Sequence, residues 1–152
     1  MKSTVSVLLC LLIMFSLSAC MAGKKQFVLK EGTDTVSFDL SGITVKGQLE
    51  NNKDDITFTV TEPENLEGVT FSQNEIYKDE VKIKYSSVKE QSPVYMLLTA
   101  VKDISQKEIL LPYKGSFTFE SAVSSAGYKV NFDCENAVIL SIETEKFIYI
   151  FE

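Results

Sequence analysis

Residues 35–62, TVSFDLSGITVKGQLENNKDDITFTVTE, alternate between apolar and polar side chains and decide the fold. At the start of this stretch, Val36, Phe38 and Leu40 are separated by single polar residues. A period of two is typical of a β-strand that buries one face and exposes the other. The next two residues, Ser41-Gly42, are short enough for a tight hairpin turn. The stretch therefore predicts antiparallel strands that follow one another along the chain.

The same period continues on both sides of Pro63. Before it, the predicted inward positions are Ile43, Val45, Gly47 and Leu49 and, after a turn at 51–55, Ile56, Phe58 and Val60. Pro63 interrupts the pattern because proline has no N–H to donate to a neighbouring strand. Beyond it, alternation recurs at 69–71, 81–85, 117–119, 128–134 and 138–142, with Val81, Val138, Leu140 and Ile142 among the inward positions. Residues 147–151 are apolar at every position, which predicts a last strand covered on both faces.

One segment has the helical period instead. Ser92-Pro93 favours a helix start, with serine as the N-cap and proline in the first turn. The apolar residues that follow recur at helical spacing; they are Val94, Leu97, Leu98, Val101 and Ile104. We expect one amphipathic helix of about three turns. Its apolar stripe packs on the sheet or covers a cavity.

The first twenty residues indicate that the protein is exported and attached to a membrane. Lys2 is followed by an apolar run at 5–15, which is about the length of a signal-peptide core and shorter than the roughly 20 residues of a transmembrane helix. Leu17-Ser18-Ala19-Cys20 then has the form of a bacterial lipobox. We predict a lipoprotein signal peptide at 1–19, a lipidated tether at 20–33 and a single β-rich domain at 34–152. The alternative is an ordinary secretory signal with Cys20 near its cleavage site by chance.

Lipidation at Cys20 predicts attachment to the extracytoplasmic face of the cell membrane. A diacylglyceryl cysteine supplies the two acyl chains that stable anchoring requires. Lys24 and Lys25 follow closely and would each add about 1 kcal/mol of attraction to anionic lipid. A solvated tether is the alternative interpretation of these two lysines.

Composition disfavours several classes of function. The chain has a formal net charge of −6, which does not suit nucleic acid. It contains no arginine, the residue that clamps phosphate in a bidentate fork, and no histidine, the commonest general base and zinc ligand. We therefore predict no enzymatic activity, no cofactor and no metal site.

The remaining reactive side chains have simpler interpretations. The carboxylate pairs Asp54-Asp55 and Asp79-Glu80 fall in predicted turns, where acidic residues are common. Residues 51–55 lack the glycine and terminal glutamate of a calcium-binding loop. Cys134 falls on the apolar face of its segment, which predicts a buried thiol without a disulfide partner in the mature chain.

Several segments together resemble a known family. They are the hairpin at 36–50 with its Gly47-centred strand, residues 58–64, residues 66–71, the helix led by Pro93, and the turn and strand at 133–142. In this order they resemble small bacterial lipoproteins with the LolA/LolB/LppX-like fold, an open antiparallel half-barrel whose concave face is covered by helix. The resemblance implies a cavity for acyl chains or another lipidic ligand. Carriers of that fold hold their lid helices with a strand arginine, which this chain lacks.

We therefore expect a mainly β, α+β fold: an open antiparallel half-barrel or strongly curved sheet with one amphipathic helix on its concave face. The first functional hypothesis is a membrane-anchored, non-enzymatic lipoprotein that binds a hydrophobic ligand in this half-barrel. Its candidate lining residues are Phe38, Phe58, Phe71, Ile83, Phe117, Phe119, Leu97 and Val101. The alternative is a structural or interaction lipoprotein with a filled core that binds another cell-envelope protein.

Overall fold

The computed structural model describes residues 23–52, 55–79, 81–84, 92–123 and 126–152. The predicted signal peptide, Cys20, Asp54, Glu80 and Tyr85 lie outside these ranges. The strands are β1 (Lys24–Phe27), β2 (Gly32–Leu40), β3 (Ile43–Asn52), β4 (Asp55–Glu62), β5 (Thr70–Phe71), β6 (Glu75–Lys78), β7 (Val81–Lys84), β8 (Ile109–Pro112), β9 (Ser116–Val123), β10 (Ala126–Asp133), β11 (Val138–Thr144) and β12 (Ile148–Phe151). A 3₁₀ turn spans Glu64–Leu66, and the α-helix, α1, spans Pro93–Ser105.

Ten of these strands form one antiparallel sheet in the order β7-β6-β5-β4-β3-β2-β12-β11-β10-β9. The last strand, β12, lies between β2 and β11 and so joins the two halves of the chain. β1 and β8 pair with each other in a separate two-stranded ribbon. The large sheet is not closed, and β7 and β9 are its edges. The predicted class, mainly β with one helix on an open antiparallel sheet, is confirmed for the described part of the chain.

The hairpin between β2 and β3 has the predicted two-residue turn. Ser41 and Gly42 have φ angles of 56° and 83°, a pair of left-handed conformations that matches the twist of the flanking strands. Asp39 stabilises the turn because its Oδ1 accepts a hydrogen bond from the Gly42 N–H at 2.9 Å. The turn fixes the β2–β3 register, in which Val36 is opposite Gly47 and Phe38 is opposite Val45.

The helix begins and ends close to the predicted positions and buries the whole predicted stripe. Its buried residues are Val94, Leu97, Leu98, Ala100, Val101 and Ile104. α1 packs on β4, β9 and β11. The inner face of the sheet meets it with Val36, Phe38, Val45, Leu49, Ile56, Phe58, Val60, Tyr128, Val130, Phe132, Cys134, Ile139, Ile142 and Tyr149, all of them buried. One hydrophobic core therefore lies between the helix and the sheet.

The described part of the segment predicted as a tether, residues 23–33, contains one strand and the start of another. Residues 24–27 form β1, which pairs with β8, and β2 already begins at Gly32. Phe27 anchors this segment because its ring packs edge-on against Phe132, with 4.8 Å between ring centroids. Only one inward apolar residue marks β1 in the sequence, so the pattern is too short for a period of two to be recognised. The first described strand thus begins at Lys24, ten residues before the predicted domain boundary at Asp34.

Because of a β-bulge, the residues of β11 that point into the core differ from the predicted ones. Asn131 is opposite Ser141 but Phe132 is opposite Ile139, so Leu140 is an extra residue on β11. Consequently Ile139 and Ile142 are both buried, whereas Val138 and Leu140 are exposed. Simple alternation from Val138 to Ile142 was therefore wrong at its first two positions.

Three other predicted inward positions are exposed. Leu40 and Ile43 flank the turn of the first hairpin, where the strands extend past the core, and Val81 lies on the edge strand β7. The last strand, β12, is covered on one face only. Tyr149 is buried beneath α1, whereas Ile148 and Ile150 are 56% and 51% exposed on the opposite face.

Candidate functional site

The concave face of the sheet is the candidate site for a hydrophobic ligand, and side chains of α1 occupy it. Leu97 and Val101 are completely buried, as is Phe58 on the sheet beneath the helix. The Phe38 ring is tilted against Phe58, with 6.1 Å between centroids, and against Tyr149, with 5.4 Å. These contacts place the central residues of the predicted lining within a packed core.

The predicted lining residues do not form one surface. Phe38, Phe58, Leu97 and Val101 belong to the core. The remaining aromatic ones are half-buried and pack against that core at its margins: Phe71 on β5, and Phe117 and Phe119 on β9. Ile83 lies on β7 opposite Ile76, and its side chain is outside the described part of the structure.

Polar contacts hold α1 on the sheet at both ends of the helix. At the first turn, the Tyr149 hydroxyl donates to the Pro93 carbonyl at 2.8 Å. At the last turn, the Asp103 carboxylate accepts a hydrogen bond from the Tyr128 hydroxyl and lies 3.0 Å from the Lys107 Nζ. The helix is therefore fixed at both ends. This geometry favours a helix that stays on the sheet over one that opens as a lid.

Burial and partners set the acid–base properties of these groups. Burial opposes ionisation of Asp103, but the hydrogen bonds from Tyr128 and Lys107 outweigh it, so the pKa of Asp103 lies below its usual 3.8. Burial, with the neighbouring Asp103 carboxylate, raises the pKa of Tyr128 far above 10, and burial does the same to the pKa of Tyr149. The two tyrosines thus stay neutral hydrogen-bond donors at neutral pH, as structural roles require.

An open polar groove of about 950 Å³ lies where the end of α1 meets three loops. Its lining residues are Val28, Leu29, Lys30, Glu31, Asn51, Asp55, Ile56, Ser72, Gln73, Asn74, Lys102, Ser105 and Gln106. Within it, Lys102 donates to the Gln73 side chain at 2.8 Å, and Asn51 donates to the Lys30 carbonyl at 3.1 Å. Sequence reasoning missed this groove because its residues come from four separate segments and are of the types expected in turns.

The outer face of the sheet carries an apolar stripe on its central strands. We define the outer stripe as Val138 and Leu140 on β11 with Ile148 and Ile150 on β12. Ile150 is directly opposite Ser141 and Ile148 is directly opposite Glu143, so the aliphatic side chains share the outer face with polar ones. Water-facing positions of an antiparallel sheet are usually polar, as Thr57 and Thr59 are on β4. Exposed apolar residues that are grouped on one face are typical of interaction surfaces.

Chemistry-bearing side chains are sparse in the part of the chain that the structure describes. No group of three or more Asp, Glu, Cys or His side chains there is arranged to hold a metal ion. Asp55 lines the polar groove and Asp79 follows β6, while their predicted partners Asp54 and Glu80 lie outside the described residues. Cys134 is completely buried, as predicted.

Comparisons with protein-family models, with curated proteins and with solved structures found no match. Within the described ranges, no helix has both the length and the apolar character needed to cross a bilayer.

Proposed function

We propose that this chain is a membrane-anchored bacterial lipoprotein whose domain is a non-enzymatic interaction module with a filled core. One observation carries the proposal: the concave face that would receive an apolar ligand is covered by α1, whose six buried residues pack against the inner face of the sheet. The lipobox at Leu17-Ser18-Ala19-Cys20 supplies the membrane attachment. The domain itself is then free to present its outer surfaces to another cell-envelope protein.

The outer stripe is the surface that best fits such a partner. Its four aliphatic side chains lie on strands in the middle of the sheet, where they are held by backbone pairing on both sides. A rigid apolar surface loses little conformational entropy on binding, which favours recognition of a protein partner.

Photocrosslinking in intact cells tests this role. A photoreactive phenylalanine analogue replaces Ile150, and a matched variant carries it at Leu66, which is also exposed and apolar but lies on the 3₁₀ turn. We expect a discrete crosslinked product from position 150 and none from position 66. Only monomer at both positions, or identical products from both, would contradict a partner on the outer stripe.

Native mass spectrometry of protein purified from its own cells separates this proposal from the ligand-binding hypothesis. A filled core predicts a mass equal to that of the acylated chain, and no saturable binding of a fluorescent fatty acid. A one-to-one complex with a lipid, retained by the folded protein, would overturn the filled-core interpretation and favour ligand binding.

A further inference from the structure

The β1–β8 ribbon has one buried and one exposed face. Phe27, Ile109 and Leu111 point into the core and are buried. On the opposite face, Gln26 is paired with Leu110, and Leu110 is 46% exposed although it is aliphatic. The ribbon therefore carries an exposed apolar side chain on a surface that its own fold does not cover.

The loop after β8 adds an exposed aromatic residue at the end of the ribbon, beside Gly23. Tyr113 is 58% exposed, and its ring lies against the backbone of Gly23. Lys114 beside it and Lys24 at the start of β1 are also exposed. We define the ribbon surface as Lys24, Gln26 and Leu110 on the outward face, together with Tyr113 and Lys114 just beyond the end of β8. Aromatic and aliphatic residues flanked by lysine are typical of protein surfaces that lie at a membrane interface.

The ribbon surface is also next to the predicted anchor. Only Met21, Ala22 and Gly23 separate Cys20 from β1. Four residue steps of fully extended chain span at most about 14 Å, so an acylated Cys20 holds β1 close to the bilayer. We propose that the ribbon surface lies on the phospholipid headgroups and fixes the orientation of the domain on the membrane, an inference that rests on the proposed lipid anchor.

Three lysines lie on or beside the ribbon. They are Lys24, Lys25 and Lys114, and Asp133, Glu135 and Glu108 lie near them in a chain whose formal net charge is −6. Lys25 is held by a hydrogen bond from its Nζ to the Glu135 carbonyl at 2.9 Å, so it stays beside the ribbon. Lys24 and Lys114, which are exposed, can attract anionic headgroups.

The strand register places a control position at the far end of the domain. β1 leads directly into the start of β2, where Gly32 is opposite Asn51, whereas Ile43 is opposite Leu40 at the other end of the same hairpin. The ten-residue strand between Ile43 and Asn52 spans about 30 Å. Ile43 is 56% exposed, which makes it comparable with Tyr113 in exposure but remote from the anchor.

Tryptophan fluorescence tests the orientation because the chain contains no natural tryptophan. Leu110→Trp, Tyr113→Trp and the control Ile43→Trp are each purified as the acylated lipoprotein and reconstituted into vesicles of phosphatidylcholine and phosphatidylglycerol. We expect lipids brominated on the acyl chain to quench the two ribbon reporters at least twofold more than the Ile43 reporter, with a blue shift for the ribbon reporters alone.

The outcomes separate this inference from the proposed function. One contradicting result is equal quenching at all three positions, or stronger quenching at Ile43→Trp, in protein whose intact mass includes the acyl chains. That result would overturn the proposed contact of the ribbon surface with the membrane and would leave the lipid anchor in place. An intact mass without acyl chains on Cys20 would overturn the anchor itself and the ribbon surface with it.

Discussion

The hydroxyl of Tyr149 donates a hydrogen bond to the carbonyl oxygen of Pro93 across 2.8 Å. This bond connects the last strand of the sheet to the first turn of the helix. The Tyr149 side chain is completely buried, and its ring also packs against Phe38. One residue thus positions the helix start and contributes to the apolar core beneath it.

Tyr149→Phe is expected to destabilise the protein by about 1 kcal/mol, since it removes one buried hydrogen bond and retains the ring. Urea unfolding followed by circular dichroism measures the change. Tyr113→Phe is the matched control, because Tyr113 is exposed, and it should leave the midpoint unchanged. Equal effects from the two substitutions would show that the Tyr149–Pro93 bond does not hold the helix.

The lowered pKa of Asp103 predicts that the folded protein loses stability in acid. Its pKa in the folded chain lies below 3.8, so its contribution is present above pH 3.8 and disappears as pH falls through the folded value. Asp103→Asn should cost about 1 kcal/mol at pH 7, and this cost should shrink as pH falls through the folded pKa, because the native carboxyl then becomes protonated as well. Urea midpoints of both proteins between pH 2 and pH 7 measure this convergence. A constant difference across that range would contradict the assigned sign.

The helix was the element most fully predicted from the sequence. The apolar residues from Val94 to Ile104 have helical spacing, and every one of them is buried as that spacing requires. A helix forms all its backbone hydrogen bonds locally, so the sequence between Ser92 and Ser105 contains most of the information needed to predict it. The two-residue hairpin turn at Ser41-Gly42 was predicted for the same reason.

Features that depend on distant partners were not predictable in this way. The bulge at Leu140 depends on the pairing with β10, because Asn131 is opposite Ser141 whereas the next residue, Phe132, is opposite Ile139. A shift of one residue reverses which side chains of a strand are buried. β1 is stabilised by residues about 85 positions away on β8, a separation that follows from its register. The polar groove likewise brings together segments that no local pattern connects.

Gly47→Ala tests the close packing between β3 and β4. A Cβ at Gly47 would lie 2.5 Å from the Cζ of Phe58 and would also contact the Thr59 carbonyl, so the strands or the ring must shift. We expect destabilisation of about 1–3 kcal/mol, the usual range for an overpacked core. The measurement is the urea midpoint at neutral pH.

Gly127→Ala is the matched control for that experiment. Gly127 is also a strand glycine, but the nearest atom to its added Cβ is the Ser121 carbonyl oxygen at 3.9 Å, an ordinary contact. The control should be neutral or slightly stabilising, because alanine restricts the unfolded chain. If both substitutions had the same effect, close approach of Phe58 to Gly47 would not be the cause.

Cys134 should behave as an unreactive thiol while the protein is folded. Under the proposed processing, in which Cys20 is acylated and the leader with Cys10 is removed, Cys134 is the single free thiol. The side chain is completely buried, so modification by a thiol reagent requires local or global opening. We expect its reaction rate to rise with urea in parallel with unfolding; rapid stoichiometric reaction in buffer would contradict its place in the core.

Leu97→Ala tests whether the concave face is a filled core. Leu97 is completely buried on α1, so truncation removes packing on the sheet and leaves a cavity, with an expected cost of about 2–5 kcal/mol. Leu66→Ala, at a position that is 39% exposed, is the control and should change the unfolding free energy by less than about 0.5 kcal/mol. An open ligand cavity beside Leu97 would give a different result, because a side chain that already borders empty space loses few contacts when it is shortened. A small cost at Leu97, close to that at Leu66, would therefore favour the half-barrel with a ligand cavity over the filled one.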